Sequence, residues 1–139
     1  MNKPILEVKG VKKHYGKGHT YVKVLDGVDM AVAQGEMLSI QGASGSGKST
    51  FLHLLGGIDT PDEGAVLYRG EDISKMLGGR LDIVRNRFFG FVFQFYHLLP
   101  EFTALENVLM PALIRESIFG WASKHTEAVD RAKELLDRF

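Results

Sequence analysis

The sequence predicts an α/β fold, because one stretch of the chain has the pattern of a buried strand, a glycine-rich loop and a helix in direct succession. Residues 37–40 form a short apolar run that favours a buried strand. Residues 42–50 carry the glycines and small polar side chains of a loop. Residues 49–55 have the apolar spacing of a helix, and the glycine pair that follows ends it. A strand that leads through a short loop into a helix is typical of α/β proteins.

The N-terminal part of the chain predicts an antiparallel β-subdomain. Partial or full alternation of apolar and polar residues indicates three strands, at residues 5–11, 21–25 and 28–33. The segment 12–20, rich in Gly, Lys and His, favours a turn. Asp26-Gly27 is a hairpin signal between the second and third strands. We therefore expect these strands to be joined by short turns.

The middle of the chain predicts two further strands with helical turns between them. Residues 60–64 form a turn sequence, and residues 65–68 follow it as a short strand. Residues 72–88 favour one or two short helices, broken near Gly78-Gly79. Residues 90–93 are apolar and predict a buried strand.

Helices are predicted for the remainder. Thr103 and Glu106 have the spacing of a capping box, which opens a helix that reaches Pro111 or beyond. Residues 124–139 predict an amphipathic helix, because apolar residues recur there with helical spacing. The apolar positions of that helix are Ala128, Ala132, Leu135, Leu136 and Phe139.

Composition excludes several classes of protein. Apolar residues make up 45% of the 139 residues and charged residues 24%, which argues against disorder. The 17 Lys and Arg residues balance the 17 Asp and Glu residues, so no basic excess points to nucleic acid or an anionic membrane. The absence of cysteine excludes disulfides and thiolate metal sites. No apolar run approaches the ~18 residues of a membrane span, so a membrane role would act through a partner.

The glycine-rich loop has the chemistry of a triphosphate site. Its pattern, Gly-x-x-x-x-Gly-Lys-Ser, occupies residues 42–49. Glycines let successive backbone N–H groups turn inward as an anion nest, and the following helix adds its N-terminal N–H groups. Lys48 is expected to reach the β- and γ-phosphates, and Ser49 to place its hydroxyl on Mg²⁺. The residues predicted to bind nucleotide here are Gly42, Ser44, Gly45, Ser46, Gly47, Lys48, Ser49 and Thr50.

The sequence resembles the ATP-binding subunits of ABC transporters over nearly its whole length. The residues that carry the resemblance are the loop at 42–50, the segment 52–64 that follows it, and Gly90-Phe91-Val92-Phe93-Gln94. Within that family, residues 94–108 are most similar to the LolD type, which powers release of lipoproteins from the bacterial inner membrane. The MacB and FtsE types share much of this pattern.

The resemblance implies roles for two more residues and a set of partners. Gln94 falls where the family's Q-loop glutamine contacts Mg²⁺ and the attacking water. Tyr15 falls where an aromatic ring stacks on adenine, although Tyr21 is a competitor for this role. The implied ligands are ATP and Mg²⁺. The implied partners are transmembrane permease subunits and a second ATP-binding subunit, on the cytoplasmic face of the inner membrane.

The family's hydrolytic machinery is only partly present in the sequence. The signature motif, the Walker B strand, the D-loop and the switch histidine do not occur in the 139 residues. We therefore expect residues 1–139 to be the N-terminal part of one ABC-type domain, a P-loop NTPase core that lacks its Walker B half. We also expect negligible ATP turnover by this chain alone, and apolar surface left exposed beside the loop strand.

Two other functions compete with an ABC-type ATPase. The first is a nucleotide-binding module without turnover. The second is another phosphate-loop enzyme such as a small kinase, which is disfavoured because Arg80, Arg85 and Arg87 form no convincing lid. His53 and His97 lack the spaced partners that a metal site requires.

Overall fold

The computed structural model describes residues 3–115 and 118–138. The chain divides into an N-terminal unit, Met1–Leu81, and a C-terminal unit, Asp82–Phe139. The N-terminal unit contains strands β1 (Leu6–Tyr15), β2 (Val22–Val32), β3 (Glu63–Tyr68) and β4 (Glu71–Asp72). They form a four-stranded sheet in the order β2-β1-β3-β4, and every pair is antiparallel. The predicted antiparallel β-subdomain is therefore confirmed.

The predicted hairpin at Asp26-Gly27 is wrong, since both residues lie inside the single long strand β2. The register passes from Val11↔Val28 to Lys13↔Leu25, which inserts one extra residue into β2 at this point. Gly27 has a φ of 71°, as the left-handed residue of a β-bulge requires. Turn signals and bulge signals share the same residue types, which explains the error.

Strand β1 is also longer than predicted. The segment 12–20 was expected to be a turn, yet β1 continues to Tyr15, where that residue pairs with Val22. A 3₁₀ turn at Gly18–Thr20 then connects β1 to β2. The extension matters because it places Lys13 and Tyr15 on strand β1.

Gly64, at the start of β3, allows a close backbone approach between β3 and β1. Its φ is 87°, and a side-chain Cβ built there would lie 2.5 Å from the Lys9 carbonyl oxygen and 2.6 Å from that of Gly10. These distances are too short for any residue except glycine. Gly64 therefore fixes how β3 enters the sheet beside β1.

Helix α1 (Lys48–Leu55) confirms the helix predicted after the loop. It contributes Phe51, Leu54 and Leu55 to the buried core of the N-terminal unit. The sheet and the turn after β4 supply the other buried apolar side chains of this unit, namely Val8, Val11, Leu25, Val66 and Ile73.

The predicted buried strand at residues 37–40 is wrong. These residues have no regular secondary structure, and Met37 is 98% exposed. The four-stranded sheet does not include them. A buried strand of a parallel sheet needs hydrogen-bonded neighbours, and within the described residues none pairs with this segment.

Helices α2 (Gly79–Phe88), α3 (Ala104–Arg115) and α4 (Ile118–Leu136) follow. The short 3₁₀ turn Ile73–Lys75 precedes α2, so the predicted break near Gly78-Gly79 is confirmed. The last helix begins earlier than predicted and ends at Leu136, while Phe139 lies outside the described residues. Ala132 is buried on this helix, whereas Leu136 remains exposed.

The capping box that opens α3 is confirmed. The Thr103 backbone N–H donates to Glu106 Oε2 at 2.8 Å, and the Glu106 N–H donates to Thr103 Oγ1 at 3.3 Å. The Thr103 hydroxyl also donates to Glu106 Oε2 at 2.7 Å. The two bonds that the Glu106 carboxylate accepts from Thr103 lower its pKa. Pro111 lies inside the helix, and the Asn86 side chain donates to its carbonyl oxygen at 2.8 Å.

Asn107 on α3 holds the loop that precedes the helix. Its Oδ1 accepts from the Leu99 N–H at 2.9 Å, and its Nδ2 lies 3.1 Å from the Leu99 carbonyl oxygen. The same Nδ2 lies 3.1 Å from the Phe102 carbonyl and 3.0 Å from the Thr103 carbonyl. One amide side chain thus adds to the backbone hydrogen bond that the loop makes from the Phe102 N–H to the Leu99 carbonyl oxygen.

The second predicted buried strand, at residues 90–93, is also wrong. This segment is irregular, and Val92 is fully exposed. Phe91 and Phe93 stack with their ring centroids 5.5 Å apart, and Phe93 meets His97 edge-on at 5.0 Å. The apolar residues here contact one another locally, because no strand within the described residues pairs with them.

Candidate functional site

A cleft of about 300 Å³ in the N-terminal unit brings together most of the residues predicted to bind nucleotide. It lies where the glycine-rich loop enters α1, beside the end of β1. Its lining residues are Tyr15, Val24, Gly45, Ser46, Gly47, Lys48, Ser49 and Thr50. The aromatic ring and the phosphate-type loop, far apart in sequence, therefore border one space.

The shape of the loop depends on Gly47. This residue has a φ of 87° and stands directly before α1. A Cβ at this position would lie 2.9 Å from Val24 Cγ1 and 3.1 Å from the Val24 carbonyl oxygen. Glycine is required here both for the left-handed backbone and for the close approach to β2. The first turn of α1 consequently opens into the cleft with its N–H groups unpaired by the helix.

Lys48 supplies the positive charge of the cleft. Its ammonium donates to the carbonyl oxygens of Gly42 at 2.9 Å and Ala43 at 2.7 Å, and lies 3.4 Å from Ser46 Oγ. These acceptors are the loop's own neutral oxygens. A phosphate oxygen entering the cleft would replace them with a charge-assisted bond, which is stronger. Gly42 thus lies behind the lysine, and does not line the cleft.

Ser49 and Thr50 present hydroxyl groups along the same wall. Among the described residues, no group of three or more His, Asp or Glu side chains is arranged to hold a metal ion. Mg²⁺ retains several waters and takes few protein ligands when phosphates supply the rest. A single serine oxygen next to Lys48 fits that requirement, so the loop suits a metal that arrives with its triphosphate.

Tyr15 was expected in a turn, but it is the last residue of β1. Its side chain is 45% exposed at the cleft, and its hydroxyl donates to Asp59 Oδ2 at 2.7 Å. Burial and this hydrogen bond raise the pKa of the Tyr15 phenol. The competing Tyr21 instead has its ring 4.9 Å from that of His14.

Lys13, two residues earlier on β1, is buried beside the ring. Its ammonium donates to Asp59 Oδ1 at 2.9 Å and to the Thr60 carbonyl oxygen at 2.7 Å, and lies 5.1 Å from the Tyr15 ring centroid. Burial alone would lower the pKa of Lys13, but the hydrogen bond and charge of Asp59 outweigh it and leave the pKa raised. Burial likewise opposes ionisation of Asp59, yet the bonds from Lys13 and Tyr15 hold its pKa below 3.8.

Sequence reasoning identified neither Lys13 nor Asp59 as part of the site. The available signal was strand alternation, which places residues 13 and 15 on one face. The prediction of a turn across 12–20 hid that signal.

The remaining predicted residues lie elsewhere. Gln94 is exposed in an irregular part of the C-terminal unit, and its role stays a prediction. Ser44 is exposed at the turn of the loop. His53 is exposed on α1, and His97 contacts Phe93.

Comparison with known proteins links this site to a family. Residues 25–139 match the family model described as ABC transporter. The lipoprotein-releasing system ATP-binding protein LolD of Shewanella frigidimarina is 49% identical over 134 residues, which cover 96% of this chain and 54% of the relative. LolD of Geobacter metallireducens is 49% identical over 132 residues, 95% of this chain and 56% of the relative. LolD of Acinetobacter baylyi is 45% identical over 138 residues, 99% of this chain and 58% of the relative.

Solved structures support the same family. Two dimeric structures of the ATP-binding cassette MJ0796 are each 36% identical with a TM-score of 0.82, covering 95% of this chain and 56% of theirs. One of them is in a post-hydrolysis state bound to ADP and Pi. The chain spans about half the length of the curated relatives it matches. Within the described residues, the helices are too short or too polar to cross a membrane.

Proposed function

The chain belongs to the ABC transporter family, and we propose on that basis that it is the ATP-binding part of a lipoprotein-releasing transporter. The observation that carries the proposal is the cleft shared by Lys48, the loop glycines and Tyr15. It offers donors and positive charge at one side and an aromatic face at the other. A nucleoside triphosphate is the ligand class that needs both.

The loop backbone, Lys48, Ser49 and Tyr15 each have a defined role in this proposal. The inward N–H groups of the loop and the Lys48 ammonium bind the β- and γ-phosphates and spread their charge. The Ser49 hydroxyl would be one protein ligand of Mg²⁺, which would neutralise phosphate charge when bound. Tyr15 stacks on the adenine, and because every base has a π-face, this contact contributes affinity more than base choice.

Gln94 is proposed to orient the attacking water and to contact Mg²⁺. An amide can hold a water molecule without adding charge. We propose in addition that turnover by this chain alone is negligible, because its sequence contains no Walker B carboxylate and no signature motif. Residues 1–139 are accordingly proposed to be the N-terminal part of one ABC-type ATP-binding domain.

The proposed partners follow from the relatives. The LolD proteins are named as ATP-binding proteins of a lipoprotein-releasing system, and the MJ0796 structures are dimeric. We therefore propose that the whole protein pairs with a second ATP-binding subunit and with transmembrane permease subunits. Its place would be the cytoplasmic face of the bacterial inner membrane.

Binding of Mg-ATP to the purified chain, measured by isothermal titration calorimetry, tests the proposal. Lys48→Ala should weaken binding by about 10- to 100-fold, because it removes a charged donor from the phosphates. Lys75→Ala is the matched control, since Lys75 is exposed and pairs with Asp72 away from the cleft. Equal affinity in the wild type and Lys48→Ala would refute phosphate binding by this loop.

Turnover is measured separately as phosphate release. The expected result is ATP binding without detectable release by this chain. Release that Lys48→Ala abolishes, at a rate comparable to a full-length relative, would contradict the expected lack of turnover and leave the binding proposal intact.

A further inference from the structure

Three side chains form a hydrogen-bonded chain behind the aromatic wall of the cleft. Lys13 and Tyr15 project from β1, and the two oxygens of Asp59 accept from them separately, Oδ1 from the ammonium at 2.9 Å and Oδ2 from the phenol at 2.7 Å. Lys13 is the only buried charged side chain in the part of the chain that the structure describes. A buried ammonium is retained only where its donors are satisfied, and here Asp59 and the Thr60 carbonyl satisfy them.

We propose that Asp59 and Lys13 are positioning residues that hold the Tyr15 ring in the orientation required to stack on the base of a bound nucleotide. This inference rests on the proposed function of the cleft. It assigns a task to two side chains that do not line the cleft themselves.

The attachment of Asp59 to α1 supports this role. Its N–H and that of Ile58 both lie within hydrogen-bond distance of the His53 carbonyl oxygen, at 3.3 and 2.9 Å. Its Oδ1 also accepts from the Thr60 N–H at 2.7 Å. The carboxylate is therefore fixed to the C-terminal end of the helix whose first turn carries Lys48 and Ser49. The N-terminal end of α1 thus carries the phosphate loop, and its C-terminal end fixes the Asp59 carboxylate that accepts from Tyr15.

The ring needs such a tether because it is not held by burial. Tyr15 is about half exposed, and a half-exposed side chain at the end of a strand keeps rotamer freedom that a stacked base would have to remove. A hydrogen bond from its hydroxyl to a fixed carboxylate removes that freedom before the ligand arrives. Pre-ordering of this kind strengthens binding without adding a contact.

Asp62 provides a matched contrast within the same turn. The side chains of Asp59 and Asp62 are equally exposed, at 32%. Asp62 Oδ2 accepts from the His14 N–H at 2.7 Å and lies 2.9 Å from His14 Nδ1. Both carboxylates therefore anchor the turn to β1, but only Asp59 contacts Tyr15.

The test compares two ligands, ATP and inorganic tripolyphosphate, by titration calorimetry on the purified chain. Both ligands use the phosphate loop, and only ATP offers a base to the ring. Asp59→Ala should weaken ATP binding by about 3- to 10-fold and leave tripolyphosphate binding within about twofold. Tyr15→Ala should show the larger loss for ATP, and Asp62→Ala should leave the ratio of the two affinities unchanged.

Two further variants separate positioning from folding. Tyr15→Phe keeps the ring and the Lys13–Asp59 pair but removes the hydroxyl, which hydrogen-bonds with Asp59 and with the Thr50 side chain. It should weaken ATP binding by about two- to threefold. In the Tyr15→Ala background, Asp59→Ala should have no further effect on ATP binding, because its action passes through the ring.

The inference is overturned if Asp59→Ala and Tyr15→Phe keep the wild-type ratio of ATP affinity to tripolyphosphate affinity. It is also overturned if Asp59→Ala weakens the binding of both ligands equally. Equal affinity of the wild type for ATP and tripolyphosphate would also overturn it, while leaving phosphate binding by the cleft intact. Failure of the wild type to bind either ligand would instead refute the proposed function, so the two failures are distinguishable.

Discussion

In the N-terminal unit the sheet and α1 together bury a core of apolar side chains, whereas in the C-terminal unit the aromatic residues before α3 face solvent. Val66 on β3 has no exposed surface, and Val92 is fully exposed, although both belong to short apolar runs. The difference lies in strand partners. β3 pairs with β1 and β4, while residues 90–93 pair with no strand in the described parts of the chain.

This contrast teaches that an apolar run becomes a strand only when a neighbour completes its hydrogen bonds. Antiparallel strands close in sequence can complete one another within a short segment. Strands of a parallel sheet depend on partners that arrive from distant parts of the chain. The cleft beside α1 lies in a region of the first kind, because Tyr15 and Val24 in its lining belong to the antiparallel strands β1 and β2.

The largest expected effect tests the sheet of the N-terminal unit. Gly64→Ala should destabilise this unit by at least ~3 kcal/mol, because its Cβ would overlap the carbonyl oxygens of Lys9 and Gly10. Gly70→Ala is the matched control: its φ is 85°, but a Cβ there meets nothing within 4 Å. It should cost about 1–2 kcal/mol.

Urea unfolding followed by circular dichroism measures both glycine variants. Similar midpoints for Gly64→Ala and Gly70→Ala would show that the close approach of β3 to β1 does not limit the stability of the sheet.

A smaller effect tests what replaces strand pairing in the C-terminal unit. Asn107→Ala should cost about 2 kcal/mol, because the loop groups of Leu99, Phe102 and Thr103 lose their side-chain partner. Asn86→Ala removes one bond, to Pro111, and should cost about 1 kcal/mol or less. Amide hydrogen exchange of Leu99 reports the loop directly, and unchanged protection in Asn107→Ala would contradict the role of this side chain.

The pH dependence of stability tests the ion pair between Lys13 and Asp59 in the N-terminal unit. The folded-state pKa of Asp59 lies below its ordinary value of 3.8, so its contribution is present above pH 3.8 and is lost as the pH falls through the folded-state pKa. The pKa of Lys13 is raised above 10.5, so its contribution holds below pH 10.5 and is lost as the pH rises through the raised value.

Asp59→Asn should therefore remove about 1 kcal/mol or less of stability at pH 7 and flatten the acid limb of the stability curve. Thermal unfolding of the wild type and of Asp59→Asn between pH 2 and 7 measures both effects. An acid limb as steep in Asp59→Asn as in the wild type would mean that other carboxyl groups, such as Asp72 with its lowered pKa, set the acid response.

The smallest effect is expected at Val92. Val92→Ser should change the free energy of unfolding by less than ~0.5 kcal/mol, because the side chain is exposed. Val66→Ala, at a buried position, should cost about 2 kcal/mol. A loss at Val92 as large as at Val66 would mean that residues 90–93 form a buried strand, as the sequence alone predicts.

Local signals accounted for most of the helices and part of the sheet. Thr103 and Glu106 fixed the start of α3, and the glycine pair after Leu55 fixed the end of α1, because caps act over a few residues. Asp26-Gly27 led to a wrong prediction of a hairpin turn, because a bulge in a long strand favours the same residue types.

The candidate site likewise contains residues that local patterns predicted and residues that they did not. The loop residues from Gly42 to Thr50 follow from a motif whose chemistry lies in consecutive residues. No local pattern indicates that Asp59 accepts hydrogen bonds from Lys13 and Tyr15, which lie more than 40 positions away.

The glycine-rich loop, the helix that follows it and the capped start of α3 could be predicted from the sequence, because each depends on neighbouring residues and their backbone preferences. The folded structure was needed to show that Tyr15 ends a strand beside this loop and donates to Asp59, and that residues 37–40 and 90–93 pair with no strand among the described residues. The physical reason is that hydrogen bonds and burial between distant segments depend on which partners the folded chain brings into reach.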